Sequence, residues 1–171
     1  LVNQGADAPV TFSLNTEISG STGLTQNGHA INWVYDQVSG TIRGVDQIDS
    51  SVVFTIAKVG TDFTFTLNGN IDNGTGDGNN TPIDIAKALV GTDFDGDPVT
   101  LDSGVVVNIN NDVPSNNSAT VPVQTVYEDA LLTGNGGAGE TNLVATYSTA
   151  SLSTLVNQGA DAPVTFSLNT E

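Results

Sequence analysis

The chain has 171 residues, 37% of them hydrophobic, and 19 acidic residues against 3 basic ones give it a formal net charge of −16. With Arg43, Lys58 and Lys87 as its only fixed cations, it lacks the clustered Lys and Arg that non-specific nucleic-acid binding or docking on an anionic membrane face requires. It has no cysteine and one histidine, His29, which excludes disulfide staples and disfavours zinc, iron–sulfur and copper-thiolate centres, whereas its many carboxylates suit calcium or magnesium.

The first predicted element is a strand at Val10–Thr16, where Val, Phe and Leu alternate with Thr, Ser and Asn. It lies inside a 17-residue segment, Leu1–Glu17, that recurs letter for letter at Leu155–Glu171, an offset of 154 residues. Packing need does not generate such identity, because a core tolerates many hydrophobic choices. The simplest reading is a window on a tandem array with a 154-residue unit, and arrays of long modules supply length or multivalency rather than one active site. Further strands are predicted at Ile31–Asp36, which holds the only Trp, and at Gln37–Arg43. Ser51–Lys58 and Thr61–Asn68, rich in β-branched and aromatic residues, form a hairpin across Val59-Gly60. Asn68–Asn80 is a turn cluster. Pro82–Val90 fits either a strand or a single helical turn, since its apolar residues match both periods.

Val99–Asn110 reads as one long strand, bulged near Gly104. Asn110–Pro122, with two Pro, four Asn and two Ser, has almost nothing to bury and is the best linker. Beyond it, Val121–Tyr127, Leu143–Ser148 and the second copy, Val164–Thr170, are predicted strands, with a Gly-rich turn at Thr133–Glu140. Many short strands, polar turns and almost no helix predict an all-β protein built as a β-sandwich. The linker divides the chain into 1–112, the C-terminal portion of one module, a joint at 113–120, and 121–171, the N-terminal portion of the next. A permuted single module within 18–171 is the alternative, and the missing strands of either half could come from a neighbouring molecule. No apolar run is long enough to span a bilayer, and no signal peptide is visible.

The strongest chemical motif is TDFDGDPVT, in which Asp93, Asp95 and Asp97 alternate around Gly96. Carboxylates two apart in a looped chain converge, as in Asp-x-Asp-x-Asp calcium loops, and repel one another unless a cation joins them. The competing reading is a hairpin turn made of good turn formers. A second set flanks the linker: Asn110 and Asp112 before it, Glu128 and Asp129 after it. A cation held from both sides would stiffen the joint; the competing reading is a solvated linker with incidental acids. The spacing resembles the calcium-binding linkers of cadherins. A third, Asp72 and Asp77 in IDNGTGDGNN, faintly echoes the Gly-Gly-x-Gly-x-Asp repeat of calcium β-rolls. Enzyme signals are weak. Asp102-Ser103-Gly104 falls in a strand-like run, His29 has only Asp36 close in sequence, and no Gly-x-Ser-x-Gly elbow exists.

The ordered set EDALLTGN, GADAPVTFSLN, VVFTIAKVGTDFTFTLNGNID, GTDFDGDPVT and VNINNDVP resembles the long extender repeats of type I secreted RTX adhesins, giant surface proteins of Gram-negative bacteria. That resemblance implies an immunoglobulin-like, Greek-key β-sandwich repeated many times, loaded with Ca2+ and rigid when loaded. It implies no enzymatic activity, neighbouring identical repeats as partners, and a place outside the cell, where the array projects a terminal ligand-binding region from the outer membrane. Carried over, the ligands would be Asn110, Asp112, Glu128 and Asp129 at the joint and Asp93, Asp95 and Asp97 in the loop, with Asp7 and its copy Asp161 as weaker candidates. The alternative is a carbohydrate- or surface-binding module, which exposed aromatic residues in a loop would support.

Overall fold

A computed structural model describes residues 8–76, 78–160 and 163–170. The chain divides into two compact units, Leu1–Asn111 and Asp112–Glu171.

In the first unit, side-chain alternation drives the formation of sheets. The central one has five antiparallel strands: β2 (Ser21–Gln26), β3 (His29–Asp36), β4 (Thr41–Asp46), β5 (Val52–Val59) and β6 (Asp62–Leu67), paired in that order. Ile31 and Trp33 of β3, Ile42 of β4 and Phe54 and Ile56 of β5 sit on its buried face, as the period of two requires. The other strands are β1 (Thr11–Leu14), β7 (Asn80–Asp84), β8 (Leu89–Thr92), β9 (Pro98–Thr100) and β10 (Val106–Asn110). β8 lies between β1 and β9, and β7 pairs with β10. Ile83, Ala88 and Ile109 join the five-stranded sheet in one core, with Leu14 packed against it. Ala86, Leu89 and Leu101 form a second cluster that seats Phe12, Leu14 and Phe63.

The all-β expectation agrees with this antiparallel architecture. Several boundaries moved, each for a local reason. Gln37–Gly40 is a turn rather than the start of a strand: the Asp36 carboxylate accepts from the Val38 N–H and Ser39 hydroxyl, Gly40 takes φ +65°, and Val38 is 98% exposed. The strand begins at Thr41. Pro82–Val90 is neither a single strand nor only a helical turn, since β7 runs into a 3-10 turn at Ala86–Ala88 and then into β8. Val99–Asn110 splits into β9 and β10, because Gly104 adopts φ +98° and the Asp84 carboxylate captures the N–H groups of Gly104 and Val105. β2 was not anticipated, for STGLTQ carries a single large apolar residue, Leu24.

In the second unit β11 (Ser115–Asn116) pairs with β12 (Val156–Asn157). A 3-10 turn covers Glu128–Ala130, and a short helix, α1 (Thr149–Ser153), is N-capped by Ser148, whose hydroxyl accepts from the Ser151 N–H. The predicted strands at Val121–Tyr127, Leu143–Ser148 and Val164–Thr170 are not formed. Every buried apolar residue among the described ones belongs to the first unit. A half-buried strand pattern becomes a strand only where an edge and a core receive it, and in this unit Val123, Leu132 and Leu168 remain exposed.

Candidate metal centre

Among the described residues, one group of three carboxylates gathers its ligand atoms within 4.8 Å of one another: Asp93, Asp95 and Asp97. They occupy the turn between β8 and β9. That turn is closed by the Asp93 N–H donating to the Asp97 carbonyl at 3.2 Å. The Asp93 Oδ1 in turn accepts from the N–H groups of Gly96 at 3.1 Å and Asp97 at 2.8 Å. Gly96, at φ +105°, supplies a backbone conformation that a side chain would resist. The hairpin-turn reading and the converging-carboxylate reading therefore describe the same five residues.

The electrostatics of this turn are those of crowded acids. A hydrogen bond from Asp95 and the Asp97 N–H hold the Asp93 carboxyl below its ordinary value. The same hydrogen bond to Asp93, then the charges of Asp93 and Asp97, push Asp95 up. A divalent cation among these carboxylates would relieve the repulsion that raises Asp95. Three carboxylates at the turn supply hard oxygen and no nitrogen or sulfur, a donor set for Ca2+ or Mg2+, with the remaining positions left to water or carbonyl oxygen. Phe94, at the tip between two of the acids, is 79% exposed.

Among the described residues, the other predicted acidic ligands are not gathered into such a group. Asn110 lies in β10 opposite Asn80. The Asp112 Oδ2 accepts from the Ala160 N–H at 3.1 Å, while Glu128 and Asp129 lie in the 3-10 turn. Asp72 clasps the β2–β3 turn, its two oxygens accepting at 2.8 Å from the N–H groups of Asn27 and Gly28. Asp7, Asp77 and Asp161 lie outside the described residues.

Two polar features escaped sequence reasoning. His29 pairs with Asp46 rather than with Asp36, its Nδ1 lying 3.1 Å from Oδ2 of that buried carboxylate. Asp36 is instead bound to Arg43. Asn111, beside the predicted ligands Asn110 and Asp112, is buried and donates to the carbonyls of Gly74 and Gly76. Neither pairing has a local sequence signal, since both join segments far apart in the chain. Compared with protein-family models, curated proteins and solved structures, the chain finds no match.

Proposed function

We propose that this chain is a stretch of a calcium-stiffened tandem array, a structural extender of a bacterial surface adhesin that holds a terminal ligand-binding region away from the outer membrane. The observation that carries the proposal is the 17-residue identity between Leu1–Glu17 and Leu155–Glu171. Selection on one active site does not duplicate a strand and its flanks without change, whereas recent tandem duplication does. An antiparallel all-β first unit supports an immunoglobulin-like sandwich as the module. The carboxylates of Asp93, Asp95 and Asp97 support Ca2+ as its ligand. Without disulfides, a site that binds only the folded state at 100-fold excess adds about 2.7 kcal/mol, comparable to the ~2–4 kcal/mol of a disulfide. Extracellular calcium sites with dissociation constants of about 0.1–1 mM would load outside the cell and stay empty in the cytoplasm.

Calorimetric titration of the chain with Ca2+, repeated on Asp93→Asn and Asp97→Asn, tests the cation. Saturable binding lost in both variants is expected, with a melting temperature that rises on loading and falls with chelator. A wild-type chain that takes up no Ca2+ at 10 mM (roughly ten times the weak end of that range) refutes the reading. One observation favours the alternative of a surface- or carbohydrate-binding module: Phe94 stands exposed on the acidic turn, where an aromatic face and a cation could grip one sugar. A glycan array probed with wild type and Phe94→Ala separates the two readings.

A further inference from the structure

We infer that Asn73-Gly74, in the loop between β6 and β7, is a self-modification site: the Asn73 amide is lost through a cyclic imide, while the fold holds the other Asn-Gly pairs of the first unit inert. Asn followed by Gly is the pair most prone to this reaction, because no side chain shields the glycine nitrogen and the backbone there turns freely. The first unit holds three such pairs, Asn27-Gly28, Asn68-Gly69 and Asn73-Gly74. In the reaction the Gly nitrogen gives its proton to a solvent base and attacks Cγ of the Asn. The N–Cγ bond forms, the Cγ–Nδ2 bond breaks, and the amide leaves as ammonia, taking a proton from water. Water then opens the imide at one of its two carbonyls, giving Asp or isoaspartate, with no oxidation or reduction.

The structure separates the three pairs by what holds the attacking nitrogen. At Asn27-Gly28 the Asp72 carboxylate accepts from both N–H groups at 2.8 Å. A nitrogen anion there faces a like charge, so the reactive form is disfavoured. At Asn68-Gly69 the Val53 carbonyl accepts from both N–H groups, at 2.8 and 3.0 Å, and the Asn68 amide donates to the Thr55 hydroxyl at 3.0 Å. Cyclisation must first break these bonds. At Asn73-Gly74, among the described residues, no acceptor holds the Gly74 N–H, and the Asn73 Oδ1 is buried without a hydrogen-bond partner. Turning this amide onto the Gly74 nitrogen therefore breaks no bond at Oδ1 and removes a buried, unpaired polar group. Isoaspartate adds a carbon to the main chain beside Gly74, whose carbonyl the buried Asn111 amide holds at 3.1 Å. The reaction thus loosens one of the two anchors of Asn111, leaving Gly76 at 2.9 Å, and adds one negative charge. It is independent of the Ca2+ reading and of the tandem array.

Ageing the full chain at mildly alkaline pH, then digesting it and weighing the three peptides by mass spectrometry, tests the inference. Asn73 should react at least about tenfold faster than Asn27 or Asn68, the factor that one charge-assisted or two neutral hydrogen bonds impose. Part of its product should be isoaspartate, labelled by an isoaspartyl methyltransferase. In urea, where only the shared Asn-Gly pair remains, the three rates should converge. Gly74→Ala should suppress the Asn73 reaction without disturbing the fold, since a Cβ there meets only the Asn79 amide at 3.6 Å. Asp72→Ala should raise the Asn27 rate about tenfold by freeing the Gly28 N–H. A native chain in which Asn27 or Asn68 reacts as fast as Asn73, or a ranking that urea leaves unchanged, overturns the inference. So does an Asn27 rate unaffected by Asp72→Ala in a chain that keeps its native Trp33 fluorescence.

Discussion

Gly44→Ala is the most exposed test of how the first unit is packed. Gly44 lies in β4 opposite Phe54 of β5, with a register irregularity immediately after it. A Cβ at Gly44 would overlap the Phe54 ring. That ring is fully buried. Trp33 meets it edge-on with centroids 5.2 Å apart, and Phe65 stacks on it at 5.0 Å. Forcing an extra carbon into a well-packed core costs about 1–3 kcal/mol, and here the upper part of that range applies because backbone or two aromatic partners must move. A loss of about 2–3 kcal/mol lowers the melting temperature of a unit this size by ~10 °C and the urea midpoint by roughly 1 M. Trp33, the only Trp in the chain, provides the assay, since its fluorescence reads the cluster being perturbed. Adding Phe54→Leu to Gly44→Ala should recover part of the loss by vacating the contested space. A Gly44→Ala chain that unfolds at the wild-type urea midpoint refutes the reasoning.

Two further outcomes concern protons. Asp46, Asp72 and Asp84 all titrate below the ordinary carboxylate range. For Asp46 burial pushes the other way and is outweighed by the N–H groups of Ile48 and Asp49 and by His29. For Asp72 burial is likewise outweighed, by the Thr25 hydroxyl and the N–H groups of Gly28 and Asn27. The N–H groups of Ala86 and Gly104, then of Val105, hold Asp84 down. A carboxyl lowered on folding stabilises fully above its unfolded value of about 4 and loses that contribution as pH falls through the folded value. Melting temperature should therefore hold steady from pH 7 to 5 and drop below about pH 4, measured in 0.5 M salt to screen the self-repulsion of the −16 charge. Asp84→Asn should blunt the drop, and stability that persists unchanged to pH 2 would contradict these clasps. At the β8–β9 turn the sign is opposite for Asp95, which is raised by Asp93 and then by Asp97. Ca2+ bound there would compete with the proton of that acid, so affinity should weaken as pH falls, with proton release visible by calorimetry in two buffers of different ionisation enthalpy. A Ca2+ affinity that does not change on acidification would rule out Asp95 as a ligand.

Much of the first unit was legible because its signals are local. The Ser51–Lys58 and Thr61–Asn68 patterns with Val59-Gly60 between them became β5 and β6, offset by a residue or two. The Asp93–Asp97 turn carried its own chemistry in five letters. β2 was hidden because Leu24 is its one large apolar residue, and its position beside β3 is held by the Thr22 hydroxyl donating to the Ile31 carbonyl and by Gln26 bonded to Asn70 and Ser51. Gly44, His29 with Asp46, and Asn111 with Gly74 and Gly76 were invisible for a common reason: each is a relation between strands or loops that the chain joins only after folding.

The all-β class, the lack of any cysteine staple, the carboxylate turn and the duplication can be read from the letters alone, since each depends on residue identity or on neighbours within a few positions. Which alternating segments become strands is settled by folding. VTFSLNT is the decisive case, for Thr11–Leu14 of the first copy form a strand on β8 whereas the same letters at 164–170 form no strand. A strand draws its hydrogen bonds and burial from another segment, so its formation is a property of the pair and cannot be read from one member.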